Sequence, residues 1–222
     1  MRYAFVVVAL SLTSLSAQAS DEARRISDSI IVLDEIMAAA DQSVPRSILE
    51  KAVGVAVFPS LLKGGFVVGG QRGKGILSVR DRQTGLWSAP AFLTITGGSI
   101  GAQIGAQAID LVLVVNNDRG LEQLVKNQFK VGAEAGVAAG PVGREAAAAT
   151  DIQMRAQILS YSRARGLFAG ITLNGATIRQ DRDANERFYG TAYRTGQIVF
   201  EGLAGAPQSV AAWKATLAKY AR

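Results

Sequence analysis

The sequence predicts an α+β fold in a single domain, with a long, curved antiparallel β-sheet flanked by N- and C-terminal helices. Apolar residues repeat with helical spacing near the two ends of the chain. From Val53 the spacing changes: Val53, Val55 and Val57 alternate with Gly54, Ala56 and Phe58, as residues do along strands, and polar and apolar residues alternate again from Asp151 to Ile158. No linker rich in Pro and Ser and no repeat of about 20–50 residues divides the chain.

The first 19 residues are predicted to be a secretory signal peptide, which leaves residues 20–222 as the domain. Arg2 gives a positive start, the apolar stretch Ala4–Leu15 follows, and Ala17-Gln18-Ala19 has the small-x-small pattern of a cleavage site. The apolar stretch is short for a membrane-spanning helix, although an uncleaved anchor is the alternative. We therefore expect a periplasmic protein, with secretion as the other possibility.

The composition restricts the function. The chain has 24 basic and 18 acidic residues, and loss of Arg2 with the signal peptide would leave 23 against 18, a net charge of +5. Such a surplus suits an anionic surface, and export favours lipid headgroups over nucleic acid. The chain has neither cysteine nor histidine, which excludes disulfides, lipidation through cysteine, His-dependent triads and most zinc or copper sites.

Helices are predicted at both ends of the chain. In Asp21–Gln42, Ile26, Ile30, Leu33 and Met37 form one apolar face. The segment has six acidic residues against two basic ones, so anionic lipid should repel it and we expect it to pack on the sheet. The other predicted helices are Ser43–Ala52, capped by Ser43; Arg119–Asn127, capped by Asp118; one capped by Asp183 and ending at Gly190; and the amphipathic Pro207–Arg222.

The glycine-rich stretch GGFVVGGQRGKGILSVR, Gly64–Arg80, raises the question of nucleotide binding. A Walker loop requires GxxxxGK[ST], but Gly73-Lys74 is followed by Gly75, and Val68 occupies the first glycine position. TGGSIGAQIG, from Thr96, lacks the last glycine of the dehydrogenase pattern TGxxxGxG, and SLLK, from Ser60, has no KTG or SDN partner. We therefore predict no catalytic residues, no metal site, no cofactor and no enzymatic activity.

Six sequence blocks point to a family: AVGVAVFPSLLKGGFVVGG, GLWSAPAF, GAQIGAQAIDLVLVV, VAAGPVGR, YSRARGLFAGITLNGATI and DANERFYG. Through them the chain resembles the SYLF domain family from about Leu33 to Gly190. The resemblance implies a protein that binds phosphoinositides or other anionic lipids, and some eukaryotic members also bind actin. Predicted export argues against actin and phosphoinositides as partners here, and the resemblance identifies no protein partner.

The resemblance also assigns the glycine-rich stretch to the sheet, with Arg72 and Lys74 near a hairpin tip. Between Lys63 and Arg82, five basic residues are opposed only by Asp81, a local net charge of +4. We predict that lipid is bound by Lys63, Arg72, Lys74, Arg80 and Arg82. For Arg72 and Lys74 the alternative is ordinary solvated surface, and the second candidate patch comprises Arg155, Arg163 and Arg165.

The expected function is non-enzymatic binding of anionic phospholipid at the bacterial envelope through a basic surface of the sheet. The alternative is a structural or protein-interaction module of the envelope that has no direct contact with lipid.

Overall fold

The computed structural model describes residues 4–39, 43–132, 136–143, 156–164, 167–168, 173, 175–202, 204–205 and 207–221, with backbone alone for 4–20, 65–68, 99–106 and 167–168. It confirms the α+β fold. The helices of these residues are α1 (Ala4–Ala38), α2 (Arg46–Lys51), α3 (Asp118–Leu124), α4 (Arg182–Tyr189), α5 (Thr195–Val199) and α6 (Gln208–Tyr220). The strands are β1 (Gly54–Val79), β2 (Ala91–Val115), β3 (Gln128–Lys130), β4 (Val137–Ala139), β5 (Ile158–Ala164), β6 (Leu167–Phe168) and β7 (Thr177–Gln180).

The sheet is built on one long hairpin. β1 and β2 are antiparallel and pair from Gly54 opposite Val115 to Leu77 opposite Ala91. On the other edge of β2, β7 pairs with residues 93–96 and β5 with residues 110–115. β3 pairs with β7, β6 with β5, and β4 with β5, the last being the parallel pair among these strands. Short strands thus extend the two ends of the long hairpin.

The sheet curls because β1 passes over itself. A Cβ atom on Gly73 would lie 2.7 Å from Cδ1 of Leu61, and one on Gly75 would lie 2.5 Å from Cδ1 of Phe58. Between these crossing segments, the β1–β2 register shifts twice, and Ser60 has a φ of 50° at the first shift. Such irregularities bend a strand, and the glycines allow the bent segments to touch.

Both faces of the sheet are buried where residues 55–58 of β1 pair with residues 111–114 of β2. Val55 and Val57 belong to an apolar core that they share with α1 and α6, including Leu33 and Trp213. Their neighbours Ala56 and Phe58 belong to a second core, which is shared with residues of α3 and α5. The strict alternation from Val53 therefore separates two apolar cores rather than a core from solvent.

Helix α1 packs on the sheet with the apolar face that the sequence predicts, and its buried surface also includes a position beside that face. Ile26 and Leu33 are fully buried, Ile30 and Met37 are half-buried, and Ile36 is fully buried although it was not predicted. The buried arc is wider because α1 contacts β1, α4 and α6 at once. No helix in the described part of the chain is long and apolar enough to cross a membrane.

Three predicted helix caps are wrong by two residues or fewer. α2 begins after Pro45 rather than Ser43, and no side chain caps it. Asn117 caps α3 in place of Asp118, and Asp181 caps α4 in place of Asp183. Each capping oxygen accepts a hydrogen bond from the backbone three residues on, a geometry that requires a non-helical backbone at the cap. Gly190 ends α4 as predicted, in a left-handed conformation.

Candidate functional site

Arg72 and Lys74 lie in the interior of β1, not near a hairpin tip as predicted. Arg72 is opposite Thr96 and Lys74 is opposite Thr94, whereas the tip of the β1–β2 hairpin is the turn Asp81–Gly85. The prediction is wrong because β1 continues beyond Arg72 and Lys74 to Val79. Both basic side chains are exposed.

The strand register places two further basic residues beside them. Directly opposed residues of antiparallel strands point to the same side of a sheet, so a side-chain row can be followed through β1, β2, β7 and β3. One row is Arg72, Thr96, Thr177 and Lys130, and the next is Lys74, Thr94, Arg179 and Gln128. We call the exposed bases Arg72, Lys74, Lys130 and Arg179 the basic face.

The basic face is compact and of one sign. With strands about 4.8 Å apart and about 7 Å between alternate residues of a strand, it covers about 14 Å by 7 Å. Neither of its two rows contains an acidic residue. Lys130 also interacts within the chain. Arg72, Lys74 and Arg179 are therefore the bases that we consider for ligand binding. Like charges at this spacing create a positive local potential.

Helices α1 and α4 bound the basic face near Phe92, which lies two residues before Thr94 on the same side of β2. The Arg25 guanidinium lies 5.0 Å from the centre of the Phe92 ring and pairs with Asp181 at 3.1 Å. Glu22 pairs with Arg187 at 2.7 Å, and this hydrogen bond raises the pKa of Arg187. The bases at this boundary are thus neutralised by acids, unlike those of the basic face.

Arg80 and Arg82 lie at the other end of the hairpin, where they have structural partners. Arg80 donates to the carbonyl oxygens of Glu50 and Gly85, at 2.7 and 3.2 Å. Arg82 forms an ion pair with Asp118 at 2.5 Å. Both line a cleft of about 520 Å³, which contains acidic as well as basic side chains. Because Arg80 is six residues from Lys74, about 20 Å of strand separates this cleft from the basic face.

Lys63 is also separate from the basic face. It is half-buried opposite Gln107, beyond the register shift that follows Gly65. It is therefore not among the residues that the strand register aligns in the two rows of the basic face. Of the five predicted residues, the register aligns only Arg72 and Lys74 in that face.

Of the second candidate patch the structure describes Arg163, which has acidic neighbours. Arg163 pairs with Glu35 of α1 and lies 3.8 Å from Asp110. Arg155 and Arg165 lie outside the described residues. Within the residues that the structure describes, no group of three or more acidic side chains is placed to hold a metal ion.

Arg179 and Lys130 were missed from the sequence although each lies in a short alternating segment. Ile178 is buried between exposed Arg179 and half-buried Thr177, and Phe129 is buried between Gln128 and Lys130. The alternation identifies which side of the strand is exposed. Their proximity to Arg72 depends on strand pairings across about a hundred residues, which a local pattern does not contain.

The chain is similar to proteins of one family. A family profile described as Ysc84, Las17-binding protein actin regulator, matches residues 96–220. LAS seventeen-binding protein 3 of Saccharomyces cerevisiae is 33% identical over 174 residues, 77% of this chain and 37% of that protein. SH3 domain-containing YSC84-like protein 1 of Homo sapiens is 35% identical over 161 residues, 72% of this chain and 46% of that protein. The chain spans less than half the length of these relatives.

Proposed function

The chain belongs to the Ysc84 family, which is the SYLF domain family, and on this basis we propose that it is a non-enzymatic protein that binds anionic phospholipid through the basic face. The observation that supports this proposal is the exposure of Arg72, Lys74 and Arg179 in adjacent rows without an acidic residue among them. Each Lys or Arg near an anionic membrane contributes about 1 kcal/mol. We place this binding in the periplasm, where the predicted signal peptide would direct the chain.

The chemistry of the basic face suits phosphate groups spread over a surface. Arginine can donate two parallel hydrogen bonds to one phosphate, while lysine acts as a point charge. The hydroxyl groups of Thr94, Thr96 and Thr177 lie in the same rows and can donate further hydrogen bonds. Gly73 and Ile178 on the reverse side are buried, so a packed core supports the face from behind.

The triple variant R72Q/K74Q/R179Q tests the proposal. Loss of about 3 kcal/mol of attraction should weaken binding to phosphatidylglycerol vesicles by about a hundredfold at low salt. The matched control R46Q/R119Q/K214Q removes three bases from α2, α3 and α6 and has the same net charge. Melting curves should show both variants folded, and vesicle sedimentation should separate them.

Salt and neutral lipid complete this experiment. Added salt should shrink the difference between wild type and the triple variant, because exposed charges are screened within a Debye length. Phosphatidylcholine vesicles should bind all three proteins poorly. If the triple variant and its control lose vesicle affinity equally, net charge alone explains the binding. If the triple variant keeps the affinity of wild type, the basic face does not bind lipid.

A protein partner is the second candidate function, and the family description favours it. The matching profile is described as an actin regulator, and a relative carries the name LAS seventeen-binding protein. Predicted export would keep the chain away from actin in the cell, but binding of the purified chain to actin can be measured whatever its location. Co-sedimentation of the purified chain with actin filaments, with and without phosphatidylglycerol vesicles, distinguishes the two candidates. Binding to filaments alone would support the protein-interaction module.

A further inference from the structure

A groove of about 700 Å³ adjoins the basic face between β3 and α5. Gln128 lines the groove and also stands opposite Arg179 of the basic face in the sheet, so the groove and the basic face are adjacent. Gln180 holds the two walls together: its Nε2 donates to the carbonyl oxygen of Val125 at 2.8 Å, and its Oε1 accepts from the backbone of Thr195 at 3.1 Å. The groove is therefore formed before any ligand binds.

The groove carries charges of both signs. Lys126 and Arg194 are exposed bases in its lining, and Glu201 is an exposed acid. The Lys126 ammonium group donates to Gln123 at 2.8 Å, which holds it in place. Within the described part of the chain, neither Arg194 nor Glu201 takes part in an ion pair. Both can therefore interact with a ligand.

Arg194 and Glu201 lie at opposite ends of α5. Arg194 immediately precedes this helix, and Phe200 and Glu201 follow its last residue. A rise of 1.5 Å per residue separates the backbones of Arg194 and Glu201 by about 10 Å. Phe200 is 57% exposed, which leaves its side chain open to a ligand beside Glu201.

We propose that this groove binds a phosphate ester that carries a primary ammonium group, as in phosphoethanolamine. Arg194 and Lys126 bind the phosphate through charge-assisted hydrogen bonds. The ammonium group donates to the Glu201 carboxylate and lies against the Phe200 ring, where a cation is attracted by the aromatic face. A purely anionic ester would be repelled by Glu201, and a simple amine would leave both bases without a partner.

This inference rests on the proposed function and adds headgroup selection to it. The basic face attracts any anionic surface, whereas the groove distinguishes among phosphate esters by their second charge. The same chemistry occurs in phosphatidylethanolamine headgroups and in free phosphoethanolamine. The experiment therefore needs one arm with a soluble ester and one with vesicles.

In the soluble arm, the full chain is titrated with O-phosphoethanolamine, glycerol phosphate and ethanolamine, and backbone amide NMR shifts are followed. Phosphoethanolamine should perturb residues 125–128 and 194–201 and bind at least about tenfold more tightly than the other two probes. R194Q and E201Q should each weaken it by about tenfold, at roughly 1.4 kcal/mol per charged contact. The matched control E186Q, an exposed glutamate of α4, should leave the affinity unchanged.

In the vesicle arm, phosphatidylcholine vesicles are compared with equally neutral vesicles that contain phosphatidylethanolamine. A gain in binding that E201Q abolishes assigns the site to the lipid headgroup, and binding of the soluble ester alone assigns it to a free phosphate ester. R72Q/K74Q/R179Q should leave the phosphoethanolamine titration unchanged, which separates the groove from the basic face. Equal affinity for glycerol phosphate, or an E201Q variant that binds like wild type, would overturn the inference.

Discussion

The Cβ atom that Gly75 lacks would lie 2.4 Å from the carbonyl oxygen of Val57, a residue of the same strand. Real Cβ atoms do not approach a carbonyl oxygen so closely, so the crossing of β1 over itself requires glycine at this position. The curl of the sheet, and with it the separation of the two apolar cores, depends on this contact.

Gly75→Ala should lower the free energy of unfolding by about 2–3 kcal/mol, because the added methyl group forces the crossing segments apart. Urea denaturation followed by circular dichroism measures the change. The control is Gly70→Ala, since Gly70 is exposed and its nearest neighbour would lie 3.8 Å from the new Cβ. That variant should stay within about 0.5 kcal/mol of wild type. Similar losses in both variants would contradict a tight crossing.

Leu33→Asp tests the packing of α1. Leu33 is 1% exposed, so the variant loses apolar burial and places a charge in the core, which should cost at least about 3 kcal/mol. Ile31→Asp is the matched control because Ile31 of the same helix is 53% exposed. Melting curves and vesicle sedimentation should be measured together. A Leu33→Asp protein that melts like wild type but no longer binds vesicles would instead make α1 a membrane anchor.

Asp34 should make stability depend on acid pH through its contact with α6. Burial raises the pKa of Asp34. Hydrogen bonds from Tyr220 at 2.5 Å and Lys219 at 3.1 Å together lower this pKa by a larger amount, so the net shift is downward. A carboxyl with a lowered folded pKa stabilises the fold above its unfolded pKa of about 3.9, and this contribution disappears as the pH falls through the folded pKa.

Asp34→Asn should therefore be less stable than wild type at pH 7, with a difference that narrows as the pH approaches 3. The measurement is Tm as a function of pH. Asp28→Asn, on the same helix but without a described bond to α6, serves as the control. A constant difference between Asp34→Asn and wild type across this range would show that the ionised carboxylate is not what links the two helices.

The predicted cleavage site gives a fourth test. Cleavage after Ala19 would retain Glu22, which pairs with Arg187 of α4, and Arg25, which pairs with Asp181 at the start of α4. We therefore expect mature protein that begins at Ser20 to be folded. Intact-mass measurement of periplasmic material should give residues 20–222. Recovery of protein that still begins with Met1 would remove the argument for export.

The sequence was sufficient for the regular elements whose signal is local. Helical spacing identified Ile26 and Leu33 as buried, and alternation identified β1 and β2, including the segment from Gly97 that has a helix-like glycine spacing. Gly97, Gly101 and Gly105, which have this spacing, would together cost an α-helix about 3 kcal/mol, which favours the observed strand.

The site could be predicted only in part, because it depends on pairing between distant segments. Arg72 and Lys74 were identified from local charge, but Arg179 joins them through the pairing of β7 with β2. Arg80 and Arg82 contribute to the same local charge, yet their partners Glu50 and Asp118 come from α2 and α3. Charge counted along a strand does not show which bases already have partners.

The burial of both faces of β1 at residues 55–58 and of β2 at residues 111–115 has a consequence for folding. A strand with one apolar face resists slippage because a shift of one residue exposes that face, but here a shifted strand still presents apolar side chains to both cores. The contacts of Gly73 and Gly75 with Leu61 and Val57 lie within β1, so they favour the native curl of this strand. The far ends of the hairpin, Gly54 and Val115, are 61 residues apart, and we expect them to pair late. We expect slow folding with misaligned intermediates, and larger residues at Gly73 or Gly75 should slow it further.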